Sequence, residues 1–406
     1  MHSLKHRKKL LFKLLKLTVR QMLALIIYNI MLIIAFLTLH SKHSPLVWLF
    51  DDKYVMNTGL TYYVDFRPGY PPLGKLPYTL LYRLFNNAES IMLFHLIVLN
   101  IILILLYKLL KGITTSRRAF IITCIVAAHY PMIWVTMFNP HADLLALIWL
   151  ILSLYFIISS NPVGAGFSCG LGLLTKIYGA LLLVPAFMLF KGWERVVLVS
   201  TFLTVVFLAS LPFIALDPIM YLSVYVQHFF RGPSESIFAL LDGYFLHTGF
   251  LHPTYEATIY FHQFLYIYTP SNIDHFRYSW SYPQLRYISS GLQMFFFLLF
   301  SIMSSRTHHS TQTALKMVSL AMISYFTFSA FWNPIVSIPF FIFLALATLD
   351  IKLSYQVLIL VGFTIVDTLH IRIWFPGLPL GIHLGLLTVV VARAILISIL
   401  LSVVKA

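Results

Sequence analysis

Most carboxylates in this chain gather in two polar stretches, 40–88 and 216–283, with a few cations beside them. The first holds Asp51, Asp52, Asp65, Arg67, Lys75 and Arg83. The second holds Asp217, Arg231, Glu235, Asp242, Glu256, Asp274 and Arg277. A carboxylate is the usual group that takes a proton from an attacking hydroxyl. A fixed cation stabilises the negative charge that builds on a departing group. Asp51 and Asp52 directly follow an apolar run, and Asp65 sits beside its alternative partner Arg67. Arg231 likewise has Glu235 as a near neighbour in sequence. Lys176 interrupts the otherwise apolar run 163–190. A charge near mid-membrane costs about 2.5–3.5 kcal/mol, so this lysine either snorkels to an interface or meets an anion. Asp143 opens another apolar run, where a carboxylate complements the helix dipole and reads as a cap. His141, His228, His247, His252, His262 and His275 show no metal-ligand spacing; His247 and His252 fall off the i, i+4 register.

The elements that must position these residues are membrane spans. The chain is 60% hydrophobic and 10% charged with a mean hydropathy of +0.87, against about 25% charged residues in soluble proteins. No water-soluble globule of 406 residues hides that much apolar surface. Cys124 and Cys169 both lie in apolar runs and suggest neither a disulfide nor a metal framework. The basic N-terminus followed by the run Met22 to Leu39 lacks a small-residue cleavage site, so it reads as an uncleaved anchor. Further apolar runs fall near 90–110, 118–137, 141–159, 195–215, 285–304, 314–332, 334–349, 353–370 and 381–404. Lys and Arg between spans mark the cytosolic side. That rule puts the N-terminus, Lys108, Lys111, Arg117, Arg118, Lys191, Arg195, Arg306, Lys316, Lys352 and Lys405 together in the cytosol. It works only if 163–190 enters and leaves on one side, as a hairpin turning near Lys176. The expected fold is an all-α polytopic integral membrane protein of about 10–12 transmembrane helices. Its two long loops face outward and contain short interfacial helices.

Several motifs carry a family resemblance. The first loop runs through Asp51-Asp52, Tyr62-Tyr63, Asp65-Phe66 and Tyr70-Pro71-Pro72-Leu73 into an amphipathic segment. Then come Asn139-Pro140-His141-Ala142-Asp143-Leu144-Leu145, the lysine-bearing segment Gly170 to Pro185, Arg231 to Ile237, and Phe331-Trp332-Asn333-Pro334. In this order they resemble the GT-C glycosyltransferases, in particular the polyprenol-phosphate mannosyltransferase branch. The resemblance covers about residues 20–345.

It implies a GT-C-like transmembrane catalytic module over 1–350, followed by C-terminal transmembrane helices over 351–406, with no separate soluble domain. The implied activity is inverting transfer of a monosaccharide, mannose by analogy. The donor would be a polyprenyl- or dolichyl-phosphate carrier and the acceptor a glycolipid or lipid-linked glycan. Asp51 or Asp52 would act as base, with the choice between them open, and Asp65 would serve acceptor, metal or catalysis. Arg67, Tyr70, Lys176, Arg231 and Glu235 would bind substrate, although the paired prolines after Tyr70 also read as scaffold. The sequence assigns no cofactor, and a divalent metal held by acids stays open. The rival reading is a transporter or lipid flippase. Such proteins tend to carry ionisable residues near the bilayer midplane; the spans here are nearly free of acids, with Asp367, close to an outer end, the exception. The expected partners are the lipid-linked donor, the acceptor and membrane lipids, not nucleic acid. The membrane would be a cell membrane or that of the endoplasmic reticulum.

Overall fold

The computed structural model describes residues 18–39, 70–138, 141–229, 236–242, 282–305, 311–330, 332, 335–374 and 393. These residues form helices and no strand. In chain order they are α1 (Val19–Leu39), α2 (Pro72–Phe85), α3 (Ala88–Ile113), α4 (Ser116–Ala127), α5 (Tyr130–Met137) and α6 (Ala142–Ile158). There follow α7 (Pro162–Thr175), α8 (Tyr178–Leu181), α9 (Leu183–Leu189), α10 (Trp193–Leu216) and α11 (Pro218–Phe229). The last are α12 (Ile237–Leu241), α13 (Pro283–Ser305), α14 (Thr311–Thr327), α15 (Ser337–Ala347) and α16 (Leu353–Trp374).

In hydrocarbon every backbone polar group must be satisfied within its own segment, which only helices or closed barrels achieve. The protein is an all-α, multi-pass membrane protein. Among the described residues four helices are long and apolar enough to cross a bilayer alone: Glu89–Ile113, Trp193–Leu216, Gln284–Ser305 and Leu353–His370. The pair α4 and α5, bent by 55°, makes a fifth where it is one broken span rather than a re-entrant loop. Five further apolar helices are 10–17 residues long, shorter than one full crossing. Of the spans expected from hydropathy, 381–404 lies outside the described residues except for Arg393.

The break between α4 and α5 has a local cause. The first stops at Ala127, and the second starts after His129 with Pro131 in its first turn. Proline is tolerated at such a start because it lacks the amide hydrogen a continuous helix would need. Residues of α15 are buried all round, as a uniformly apolar helix in a bundle core must be. By contrast α10 and α13 leave Leu203, Phe207, Leu208, Leu211, Phe295 and Leu299 exposed, faces suited to lipid. Gly166 and Gly170, spaced by three residues, let α7 press on α10; a Cβ on Gly166 would strike the Leu198 carbonyl.

Arg118 ties one end of the bundle. Its guanidinium donates to Gln356 Oε1 at 2.7 and 2.9 Å, to the Ile351 carbonyl at 2.6 Å and to the Thr348 carbonyl at 3.2 Å. It therefore satisfies orphaned carbonyls just beyond α15 while holding the first turn of α16. The candidate site lies past the other end of the same α4–α5 segment.

Candidate active site

Three helix ends converge there. At the first, Pro71 is extended (φ −58°, ψ 165°) and Pro72 begins α2, a position where the ring presets the helical φ. Tyr70 stands just before it. The face of α2 made by Pro72, Gly74, Lys75, Tyr78 and Thr79 is buried, confirming the amphipathic helix expected after the paired prolines. Gly74 makes the approach to α7 feasible, since a Cβ there would collide with the Thr175 carbonyl.

At the second, His141 is the extended N-cap residue of α6 (φ −144°, ψ 142°), and its side chain makes no capping bond. The imidazole is thus turned to other partners. At the third, α7 stops as Lys176 becomes extended (φ −165°, ψ 151°). Beyond it the chain folds back, so a Cβ on Gly172 would lie 2.6 Å from the Gly179 Cα. The hairpin turn therefore falls at Lys176, where the charge pattern predicts it.

These ends place four side chains in one array. Lys176 Nζ donates to Asp143 Oδ1 at 2.5 Å. The other carboxylate oxygen of Asp143 contacts His141 Nδ1. His141 Nε2 lies 2.5 Å from the Tyr70 hydroxyl, with the two rings edge to face at 5.1 Å. The ammonium of Lys176 also sits 5.4 Å from the Tyr70 ring centre and 5.0 Å from that of Tyr178. Asp143 is fully buried and Lys176 keeps 16% of its side-chain exposure. Next to the array, Tyr78 shares a 2.7 Å hydrogen bond with His95. Burial, and secondarily the charge of Asp143, push the Tyr78 phenol well above its ordinary range.

Asp143 lies in the first turn of α6, as expected, and its carboxylate is turned to Lys176 and His141 as well. Of the two readings open for Lys176, the structure shows the ammonium meeting an anion, the Asp143 carboxylate. Of the proposed site residues, the structure brings Tyr70 and Lys176 together. Asp51, Asp52, Asp65, Arg67, Arg231 and Glu235 lie outside the described residues. Two acids of the second polar stretch serve the backbone instead. Asp217 accepts the Met220 amide at 2.9 Å, and Asp242 accepts the Tyr282 amide at 2.7 Å.

His141 and Asp143 belong to the array although sequence reasoning left them out. The available signal was Asp143 itself, an acid inside an apolar run with one intramembrane lysine to answer it. Lys75, only 2% exposed on the face of α2 turned inward, was also passed over. Among the described residues no group of three His, Cys, Asp or Glu is placed to hold a metal ion.

Chemically, a carboxylate, an imidazole, a phenol and an ammonium in hydrogen-bond sequence can hold a proton or fix an anion at a membrane interface. Comparison with protein families gives a match over residues 70–219 to the dolichyl-phosphate-mannose-protein mannosyltransferase family. Comparisons with curated proteins and with solved structures gave no match. The matched stretch runs from Tyr70 through His141, Asp143 and Lys176, and over it the chain is similar to that mannosyltransferase family.

Proposed function

We propose that this glycosyltransferase-like protein inverts the anomeric centre of a monosaccharide, mannose by family resemblance. It would move that sugar from a polyprenyl- or dolichyl-phosphate carrier to a glycolipid or lipid-linked glycan. The reaction takes place on the non-cytosolic face, with the N-terminus in the cytosol. The observation that carries this reading is the buried array Tyr70–His141–Asp143–Lys176 inside the family-matched stretch. Asp51 or Asp52 takes the proton of the acceptor hydroxyl, and Asp65 with Arg67 orders the acceptor. Negative charge near the anomeric carbon favours its oxocarbenium-like transition state. Lys176 and Arg231 face the departing phosphate, with Glu235 holding Arg231 and Tyr70 set against Lys176. Direct displacement breaks the bond from sugar to phosphate as the bond from acceptor oxygen forms, so one base suffices.

The test supplies purified protein with radiolabelled polyprenyl-phosphate mannose and a membrane-lipid extract. A labelled product, lost on Asp51→Asn or Asp52→Asn in protein that still folds, supports the reading. Absence of transfer from every lipid-phosphate sugar refutes it.

A second reading, transport across the bilayer, draws on a buried ionisable group. Asp367 is fully buried, with His129 Nε2 at 3.6 Å and Arg393 at 3.8 Å. Substrate-dependent flux in liposomes, lost on Asp367→Asn, would favour it.

A further inference from the structure

We propose that the Tyr70 hydroxyl and the His141 imidazole are a positioning pair for glycosyl transfer, aligning the end of the first polar stretch with the Lys176 ammonium. The inference deepens the function proposed above and rests on it. In the proposed arrangement His141 Nδ1, in contact with Asp143, carries the ring proton and Nε2 keeps its lone pair. The Tyr70 hydroxyl, 2.5 Å from Nε2, is then its donor. Asp143 uses its remaining oxygen for Lys176 at 2.5 Å. One carboxylate therefore sets two neighbours at once, the imidazole that holds Tyr70 and the ammonium at the hairpin turn.

Tyr70 is anchored in two distinct ways. Its hydroxyl meets His141, and its ring lies 5.4 Å from the Lys176 ammonium. In sequence it follows Asp65 by five residues and Arg67 by three. Its backbone leads directly into Pro71 and Pro72, whose fixed φ angles pass little slack onward. The point where the acidic loop meets the rigid helix is thus pinned to the same carboxylate that pins the lysine. Positioning of this kind acts on rate, because a misplacement of about 1 Å lowers turnover about a hundredfold. His141 and Tyr70 are here positioning residues, acting through the groups they hold.

Three variants separate this role from simple packing. Tyr70→Phe keeps the ring over Lys176 and removes only the hydroxyl. His141→Asn keeps a donor near the Nδ1 position and removes Nε2, whereas His141→Gln keeps a polar atom near Nε2. Turnover is measured on the full-length, detergent-solubilised protein with radiolabelled polyprenyl-phosphate mannose and a membrane-lipid extract, alongside the melting temperature. The expected result is a fall in kcat of about tenfold to a hundredfold for Tyr70→Phe and for His141→Asn. Donor KM and melting temperature should stay close to wild type, the double variant should lose no more than either single one, and His141→Gln should recover part of the loss. An active wild type with unchanged kcat in both single variants overturns the inference, as do additive losses or losses that track the melting temperature. A wild type that transfers from no lipid-phosphate sugar overturns the proposed function itself, a distinct outcome.

Discussion

Replacing Asp143 by Asn, Lys176 by Met, and both together isolates the ion pair that closes the hairpin turn onto α6. The carboxylate is fully buried and the ammonium 16% exposed, 2.5 Å apart. Removing one partner from a buried pair costs about 3–5 kcal/mol, because the other charge is stranded. The two single variants should not be equal. In Asp143→Asn the ammonium keeps some exposure and two tyrosine faces, at 5.4 and 5.0 Å, each worth about 0.5–1 kcal/mol. That loss belongs near the lower end, about 3 kcal/mol. Lys176→Met leaves a carboxylate with no exposure beside the His141 imidazole, so its loss belongs toward about 4–5 kcal/mol. The double variant strands no charge and should lose only about 1–2 kcal/mol from imperfect packing. The coupling energy is then about 5–7 kcal/mol, well over a thousandfold in the folding equilibrium at about 1.4 kcal/mol per factor of ten. The assay is equilibrium unfolding in detergent by chemical denaturant, followed by helical circular dichroism. Losses that add to within about 0.5 kcal/mol would mean the pair is no coupled unit, and the electrostatic account of the hairpin would fall.

Further predictions concern the frame around the site. Gly172→Ala and Gly179→Ala should each cut the yield of folded protein severely, because either new Cβ meets the opposite glycine's backbone. Gly112→Ala, with nothing within 4 Å of its Cβ, should be neutral or slightly stabilising in fluorescence-detected size exclusion. Arg118→Ala should lower stability by about 2–3 kcal/mol in the same denaturant assay, as charge-assisted bonds to the Ile351 and Thr348 carbonyls are lost. Lysine at that position should restore little, since it lacks the planar fork that reaches Gln356 as well. Single cysteines replacing Asp52 and Arg231, in a background without Cys124 and Cys169, should react with an impermeant thiol reagent from the same, non-cytosolic side. Cysteines at Lys111 and Lys352 should react from the other side.

Much of the frame was legible from residue order. Hydropathy located the helices at 88–113, 193–216, 283–305 and 353–374 to within a few residues, because burial in lipid demands long apolar runs whatever packs beside them. The paired prolines announced α2, and the placement of basic residues demanded a turn near Lys176. The bend between α4 and α5 was not legible as a bend. Its hydrophobic run is continuous, and the break at His129 depends on a local backbone choice that hydropathy averages away.

The site divides along the same line. Sequence by itself determined that lipid is the solvent, that a lysine interrupts one apolar run and that an aspartate opens another. Only the tertiary structure decided that they answer each other across 33 residues of chain, with His141 and Tyr70 completing the array. A charge in a low-dielectric interior must find its opposite, but the separation that joins them is set by how α6 and α7 pack. No local spacing rule records that geometry.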